Sequence, residues 1–311
     1  MKPGPMRWLV LAALLLVLVI TTTSAYIRLS QAGLGCADWP ACYGRAVQLP
    51  EAGQLIPGQS SLFWARAIHR LAASSIGVLL VLIVFLGREN LQGAGARVAA
   101  WAALGLAGLL AGLGMITPSN LPAVTLGNLL GGMTMAAVLW WLHQRGRGEP
   151  AVAGRMLLWC ALAALALQIA LGGMIGARQG ALACVTLPEC SGRWWPESTD
   201  WRVFNPFFGL PAAEQAAAAL APLAMAHRYG ALLLAVILCT LGVGAIRRGA
   251  RAATLGWALL GLLALQLLLG VAMVLANFPL PLALMHNLGA VLLLGAAISL
   301  FWQDPATEEQ T

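Results

Sequence analysis

Charge is what this chain has least of. Among 311 residues only 9% are Asp, Glu, Lys or Arg, and 11 acidic residues face 18 basic ones. So few charges cannot cover a soluble domain of this length. With 60% hydrophobic residues and a mean hydropathy of +0.82, the composition is that of a multi-span membrane protein. The basic excess, net +7 with a pI near 9.6, gathers into no patch, which argues against nucleic acid as a partner. Lys2, Arg7, Arg88, Arg97, Arg145, Arg147, Arg155, Arg247, Arg248 and Arg251 instead punctuate the ends of apolar runs, as cytoplasmic anchors do. Histidine is scarce too, with four residues, yet His69, His227 and His286 all lie inside apolar runs. No acidic residue shares a run with His227 or His286, and Cys239 stands twelve residues from His227, which argues against zinc.

Eight apolar runs are long enough to span, at about 8–25, 63–86, 98–116, 121–142, 156–177, 220–245, 253–275 and 282–302. Thr23-Ser24-Ala25 also resembles a signal-cleavage site, but the spans that follow favour an uncleaved first one. The Gly- and Pro-rich stretch 29–62 and the Trp-, Pro- and Gly-rich stretch 178–219 read as outer loops, 87–97 as an inner loop and 304–311 as an inner tail. Both termini then lie in the cytoplasm.

The eight spans divide into two repeats of four, residues 1–147 and 148–311, giving an all-α membrane protein of two pseudo-symmetric four-helix bundles. Each half has a span, an outer loop with a Cys-x5-Cys pair, a span opening on His-Arg, and a close hairpin of two more spans. The pairs are Cys36 with Cys42 and Cys184 with Cys190, each with a proline two residues before its second cysteine. On the oxidising side of a membrane such a pair forms a disulfide that staples its loop, or, in a sharper alternative, a redox couple. Cys160 and Cys239, within spans, read as small packing residues.

An ionisable residue at membrane depth marks a site. His227 and His286, near the outer ends of spans six and eight, suit axial ligation of one b-type heme iron. Arg228 points about 100° around the helix from His227, toward the surface where propionates would emerge. His69 with Arg70 repeats the arrangement in the first half. Its partner is missing, because Gly127 or Asn128 stands where His286 stands in the second half, so a heme there has one protein ligand at most. His143, among arginines, reads as an interfacial residue. Gln168 and Gln266 read as helix–helix hydrogen-bonding groups, and the aromatic stretch from Trp194 to Phe208 as an interfacial belt or a lid over a porphyrin.

Tyr26-Ile27-Arg28-Leu29-Ser30, Gly33-Leu34-Gly35-Cys36, Asp38-Trp39-Pro40, Cys42, the two His-Arg spans, Cys184 to Cys190 with Trp194-Trp195-Pro196, and His286-Asn287 together resemble the heme A synthase family over essentially the whole chain. The resemblance implies an eight-helix bundle in a bacterial inner membrane that oxidises a methyl group of heme O to the formyl group of heme A by successive hydroxylations and dehydration. It implies a resident heme b on His227 and His286, and a catalytic His69 in the half that receives heme O. Implied or candidate partners are heme O and heme A, a heme O synthase, a quinone or other electron carrier, and a second copy of the chain. Members typically carry a glutamate one turn before the first-half histidine, where this chain has Arg66, and a histidine in span four at the position of Asn128. Those departures define the alternative: a catalytically degenerate paralogue that carries electrons or handles heme.

Overall fold

The computed structural model describes residues 4–34, 59–91, 93–116, 121–145, 155–196, 199–209 and 217–300. Among them the chain is all-helical, with eight helices long and apolar enough to cross a membrane. These are α1 (Pro5–Gln31), α2 (Gln59–Asn90), α3 (Ala94–Met115), α4 (Pro122–Gln144), α5 (Arg155–Ala177), α6 (Ala217–Ile246), α7 (Ala250–Leu275) and α8 (Leu280–Ser299). Two short 3-10 helices, Ala181–Ala183 and Trp201–Phe204, lie between α5 and α6.

All eight expected spans are present, but several boundaries move. Residues 29–31 and 59–62, read as loop, continue α1 and α2, and Gly87 to Asn90 completes α2 rather than opening a loop. The reason is physical: hydropathy marks the part of a helix that sits in hydrocarbon, whereas the backbone ladder runs on through polar residues. The 32 residues of α2 make a rod of about 48 Å at 1.5 Å per residue, well beyond the roughly 30 Å apolar core. The Thr23-Ser24-Ala25 stretch is continuous helix within α1, whose Val10, Ala13, Leu14 and Val17 are buried.

Proline at the first turn starts both α4, at Pro122, and α8, at Pro281, where a missing N–H costs no helical bond. In α3 the buried residues are Ala96, Ala100 and Ala103, a seam of small side chains that lets neighbouring backbones approach. The outer faces carry exposed Trp101, Leu109, Leu167, Val236 and Leu268, as a lipid environment requires. Cys160 and Cys239 sit on such exposed faces rather than between helices, a correction to the reading of them as small packing residues.

Close packing runs from α1 through α2 and α3 to α4 and back to α1, and from α5 through α6 and α7 to α8 and back to α5. The circuits meet where α8 packs on α1 and α4, and α4 on α5. In the second circuit α6 and α8 each neighbour both α5 and α7, so they stand at opposite corners.

Candidate functional site

His227 and His286 face each other across that diagonal. Their ring centres are 6.5 Å apart with planes at 66°. A metal bonded at about 2 Å by one nitrogen of each ring would put the centres about 6.3 Å apart, so the gap suits a single ion between two imidazoles. Among the described residues no group of three His, Cys, Asp or Glu side chains converges.

Each imidazole is bordered by a glycine on the preceding helix. A Cβ on Gly172 would lie 3.0 Å from His227 Cε1, and one on Gly270 would lie 3.6 Å from His286 Cε1. Each histidine is also tied to a glutamine of that helix. Gln168 Nε2 donates to the His227 carbonyl at 2.8 Å and lies 3.0 Å from Nδ1 and 3.4 Å from Nε2 of the ring. Gln266 Nε2 donates to the His286 carbonyl at 2.9 Å. Both glutamines therefore make the helix–helix bonds expected of them. His286 Nδ1 is buried with no hydrogen-bond partner among the described residues, a nitrogen available to a ligand or to an acceptor that turns toward it. A flat, two-faced group held by axial nitrogens fits this donor set and its glycine-lined walls.

The N-terminal end of α6 is roofed by the segment that precedes it. Cys184 and Cys190 are joined in a disulfide, and both pack in a buried cluster with Ala221 and Met225, which precede His227 by six and two residues. Burial suits the staple rather than an exchanging couple. Arg228 donates to the Cys184 carbonyl at 2.9 Å, the Glu189 carbonyl at 3.1 Å and the Pro188 carbonyl at 3.3 Å. The guanidinium expected to reach for propionates thus grips the disulfide loop. Tyr229 donates to the Trp194 carbonyl at 2.6 Å and stacks on Trp195.

Arg178, just past α5, has no role in the sequence reading, yet it is only 6% exposed. It donates to the carbonyls of Val203, Arg202, Asn205 and Phe208, at 2.8, 3.1, 2.7 and 3.2 Å. Burial lowers its pKa from the usual arginine value, and the nearby Asp200 opposes that shift. Asp200 itself is held below the ordinary carboxylate range by the Arg202 side chain and backbone N–H.

In the first circuit His69, half-buried on α2, faces α1. Its Nδ1 is 3.3 Å from Thr23 Oγ1, whose own proton goes to the Val19 carbonyl at 2.7 Å. The hydroxyl oxygen can then accept Nδ1–H, leaving Nε2 with a free lone pair. Arg66 is half-buried and Arg70 exposed on the same helix; Asn128 is half-buried on α4. Cys36 and Cys42 lie outside the described residues.

The profile of the cytochrome oxidase assembly protein family, COX15-CtaA, matches residues 6–298. The chain belongs to that family. Among its relatives, a protein named heme A synthase from Shewanella oneidensis is 34% identical, covering 93% of each chain. Two others of the same name, from Rhodopseudomonas palustris and Caulobacter vibrioides, are 27% and 26% identical; they cover 94% and 95% of this chain, and 89% and 94% of their own. In this COX15-CtaA member the imidazole pair and the single His69 belong to one chain, which the family profile covers almost throughout.

Proposed function

We propose that this chain is a heme A synthase: a multi-pass membrane oxidoreductase that converts the methyl group of heme O to the formyl group of heme A for terminal oxidases. Full-length similarity to relatives of that name supports the reaction class. The observation that carries the site is the approach of His227 and His286 to 6.5 Å across the α6–α8 diagonal. Residues 148–311 form the half that holds heme b on these two histidines, and residues 1–147 the pseudo-symmetric half that receives heme O at His69. When bound, heme b supplies one-electron transfer.

The chain's own residues do the rest. His227 and His286 hold a ligand from both faces, and the Arg178-ordered and Arg228-ordered roof keeps water from the outer end of α6. His69, its Nδ1 proton taken by Thr23, offers Nε2 to the substrate iron on one face only. Arg70 presents a cation beside it. The cysteine-bearing loops lie outside a bacterial inner membrane with both termini in the cytoplasm, and an electron carrier such as a quinone and a heme O synthase are the partners this chemistry calls for. The test is a reduced-minus-oxidised spectrum with pyridine hemochrome analysis after expression beside heme O production. A b-type signal lost in His227→Ala and in His286→Ala, together with a-type heme that disappears in His69→Ala, is expected. A protein without a b-type signal overturns the reading.

Arg66 and Asn128 favour a second reading, in which the chain binds heme b and carries electrons or handles heme without oxidising heme O. A b-type signal with no a-type heme, and gain of a-type heme only in the Arg66→Glu, Asn128→His double variant, would establish it.

A further inference from the structure

One stripe of α1 faces the seam between the two circuits. Leu14 lines a small cavity there with Ala136 of α4 and Val291 of α8. Thr21 lies against Gly132 of α4, where a Cβ would be 3.2 Å from its methyl. Arg28 comes next, again seven residues on, and a spacing of seven keeps all three on one face of the helix. Arg28 is half-buried, its Nε is buried, and a Cβ on Gly176 of α5 would lie 4.0 Å from that nitrogen. The first circuit therefore sets a guanidinium against a wall of the second. A cation in the last turn of α1 also complements the helix dipole. An exposed side chain would do as much, whereas this one stands beside Leu29, which is buried with Leu34 and Ala283 of α8.

Gly176 stands four residues, about 6 Å, beyond Gly172, the glycine that borders His227. α5 and α7 hold the two corners that the imidazoles leave, so they face the edges of a planar ligand gripped between the rings. His286 follows the start of α8 at Leu280 by six residues and precedes its end at Ser299 by thirteen. A ligand with charged groups on one edge reaches water soonest at the near end, and that is where Arg28 lies. The surrounding helices α1, α4, α5 and α8 contain no Asp or Glu that would repel a carboxylate. Arg228 is meanwhile spent on the carbonyls of the disulfide loop.

We propose that Arg28 binds a carboxylate on the edge of the group held by His227 and His286, which on the heme b reading above is one propionate, reached across the seam from the other half. A guanidinium carries several N–H donors in a fixed fork, so it can take a carboxylate through two parallel bonds beside the other bonds it makes. Gly176 leaves the room that the fork needs. Heme b is then held by residues of both halves, and residues 148–311 alone lack one of its contacts.

The experiment uses the full-length protein, made heme-free and titrated with hemin or with hemin dimethyl ester, whose propionates carry no charge. The readouts are affinity, from the b-type absorbance, and the midpoint potential of the loaded protein. A charge-assisted pair shielded from water is worth a factor of about ten in affinity. Arg28→Gln is therefore expected to bind hemin about tenfold more weakly and to bind the ester as the wild type does. A nearby cation favours ferrous heme, the more negative of the two forms. The hemin potential should fall in Arg28→Gln, by about 59 mV if the preference changes tenfold, while the ester potential stays. Arg28→Lys, which keeps the charge without the fork, should lie between. An equal loss of hemin and ester in Arg28→Gln, as a packing role at the seam would give, overturns the proposal, and so does wild-type affinity for both. Gly176→Leu, which fills the space of the guanidinium, replaces an Arg28 variant that does not accumulate, with the same expected difference between hemin and ester. A b-type spectrum that survives His227→Ala and His286→Ala overturns the heme b reading itself. A spectrum that needs both histidines but is indifferent to Arg28 overturns only the assignment of Arg28.

Discussion

His227 meets an amide from the neighbouring helix and an imidazole 6.5 Å across the interior, whereas His69 meets a hydroxyl and has Asn128 on the helix at its opposite corner. The two circuits are built alike, from four apolar helices with a His-Arg pair near one end. They differ in how many nitrogens they bring to the middle. On the function proposed above, two opposed imidazoles would hold a planar ligand from both faces, and one imidazole would leave a face of its ligand uncovered, the difference between a resident group and a passing one.

Supplying the missing nitrogen should break the contrast most severely. Asn128→His gives the first circuit an opposed pair, and heme content by pyridine hemochrome is expected to rise toward two per chain. An unchanged heme content would mean that α2 and α4 do not bring positions 69 and 128 to a common centre. Removing the roof of the second circuit comes next. Arg178→Ala strips four carbonyls of their donor. With hydrogen bonds to charged groups worth about 1.5–3 kcal/mol each and partly replaced by water, a loss of about 3 kcal/mol is expected, read as a lower melting temperature and faster proteolysis near residues 199–209.

The glycine borders sharpen the comparison within the second circuit. Gly172→Ala places a methyl 3.0 Å from the His227 ring, close enough that the ring must move, whereas Gly270→Ala makes an ordinary contact at 3.6 Å. Heme loss is expected to quicken about tenfold in the first and to stay unchanged in the second. The smallest effect is that of pH on the roof. Asp200 has a folded-state pKa below its unfolded value, because Arg202 bonds its ionised form. Its contribution is complete above the unfolded value and is lost as pH falls through the folded one. Exchange of the Val203 amide, which bonds the Asp200 carbonyl, should quicken below about pH 4 in the wild type and lose that dependence in Asp200→Asn.

Much of this was legible before the fold was known, because membrane burial makes polar residues conspicuous. Three histidines in apolar runs, two glutamines in spans and a cysteine pair in a loop each stand out against a chain that is 60% hydrophobic. The number and order of helices follow from the same contrast, and their ends do not, since a helix such as α2 continues past the lipid. That His227 and His286 meet on a diagonal depends on the order of packing around α5 to α8, which periodicity does not encode. Gly172 and Gly270 were hidden among 35 glycines. Their spacing of four from a glutamine is the signal that would have found them. Arg178 looked like any cation at a helix end, and only the convergence of four carbonyls on it makes it structural.

Arg178 and Arg228 have a consequence for how the segment between α5 and α6 can change over evolution. Both guanidiniums bond to main-chain oxygens, at Cys184, Pro188 and Glu189 for one and at Arg202, Val203, Asn205 and Phe208 for the other. Main-chain oxygens are present whatever side chain is attached. Residue identity at the exposed positions of these stretches is therefore free to drift, while the number of residues between the gripped carbonyls is fixed. A single insertion or deletion at 185–188 or 203–207 carries the acceptors out of reach, whereas replacement at exposed Val185 or Phe207 leaves them where they are.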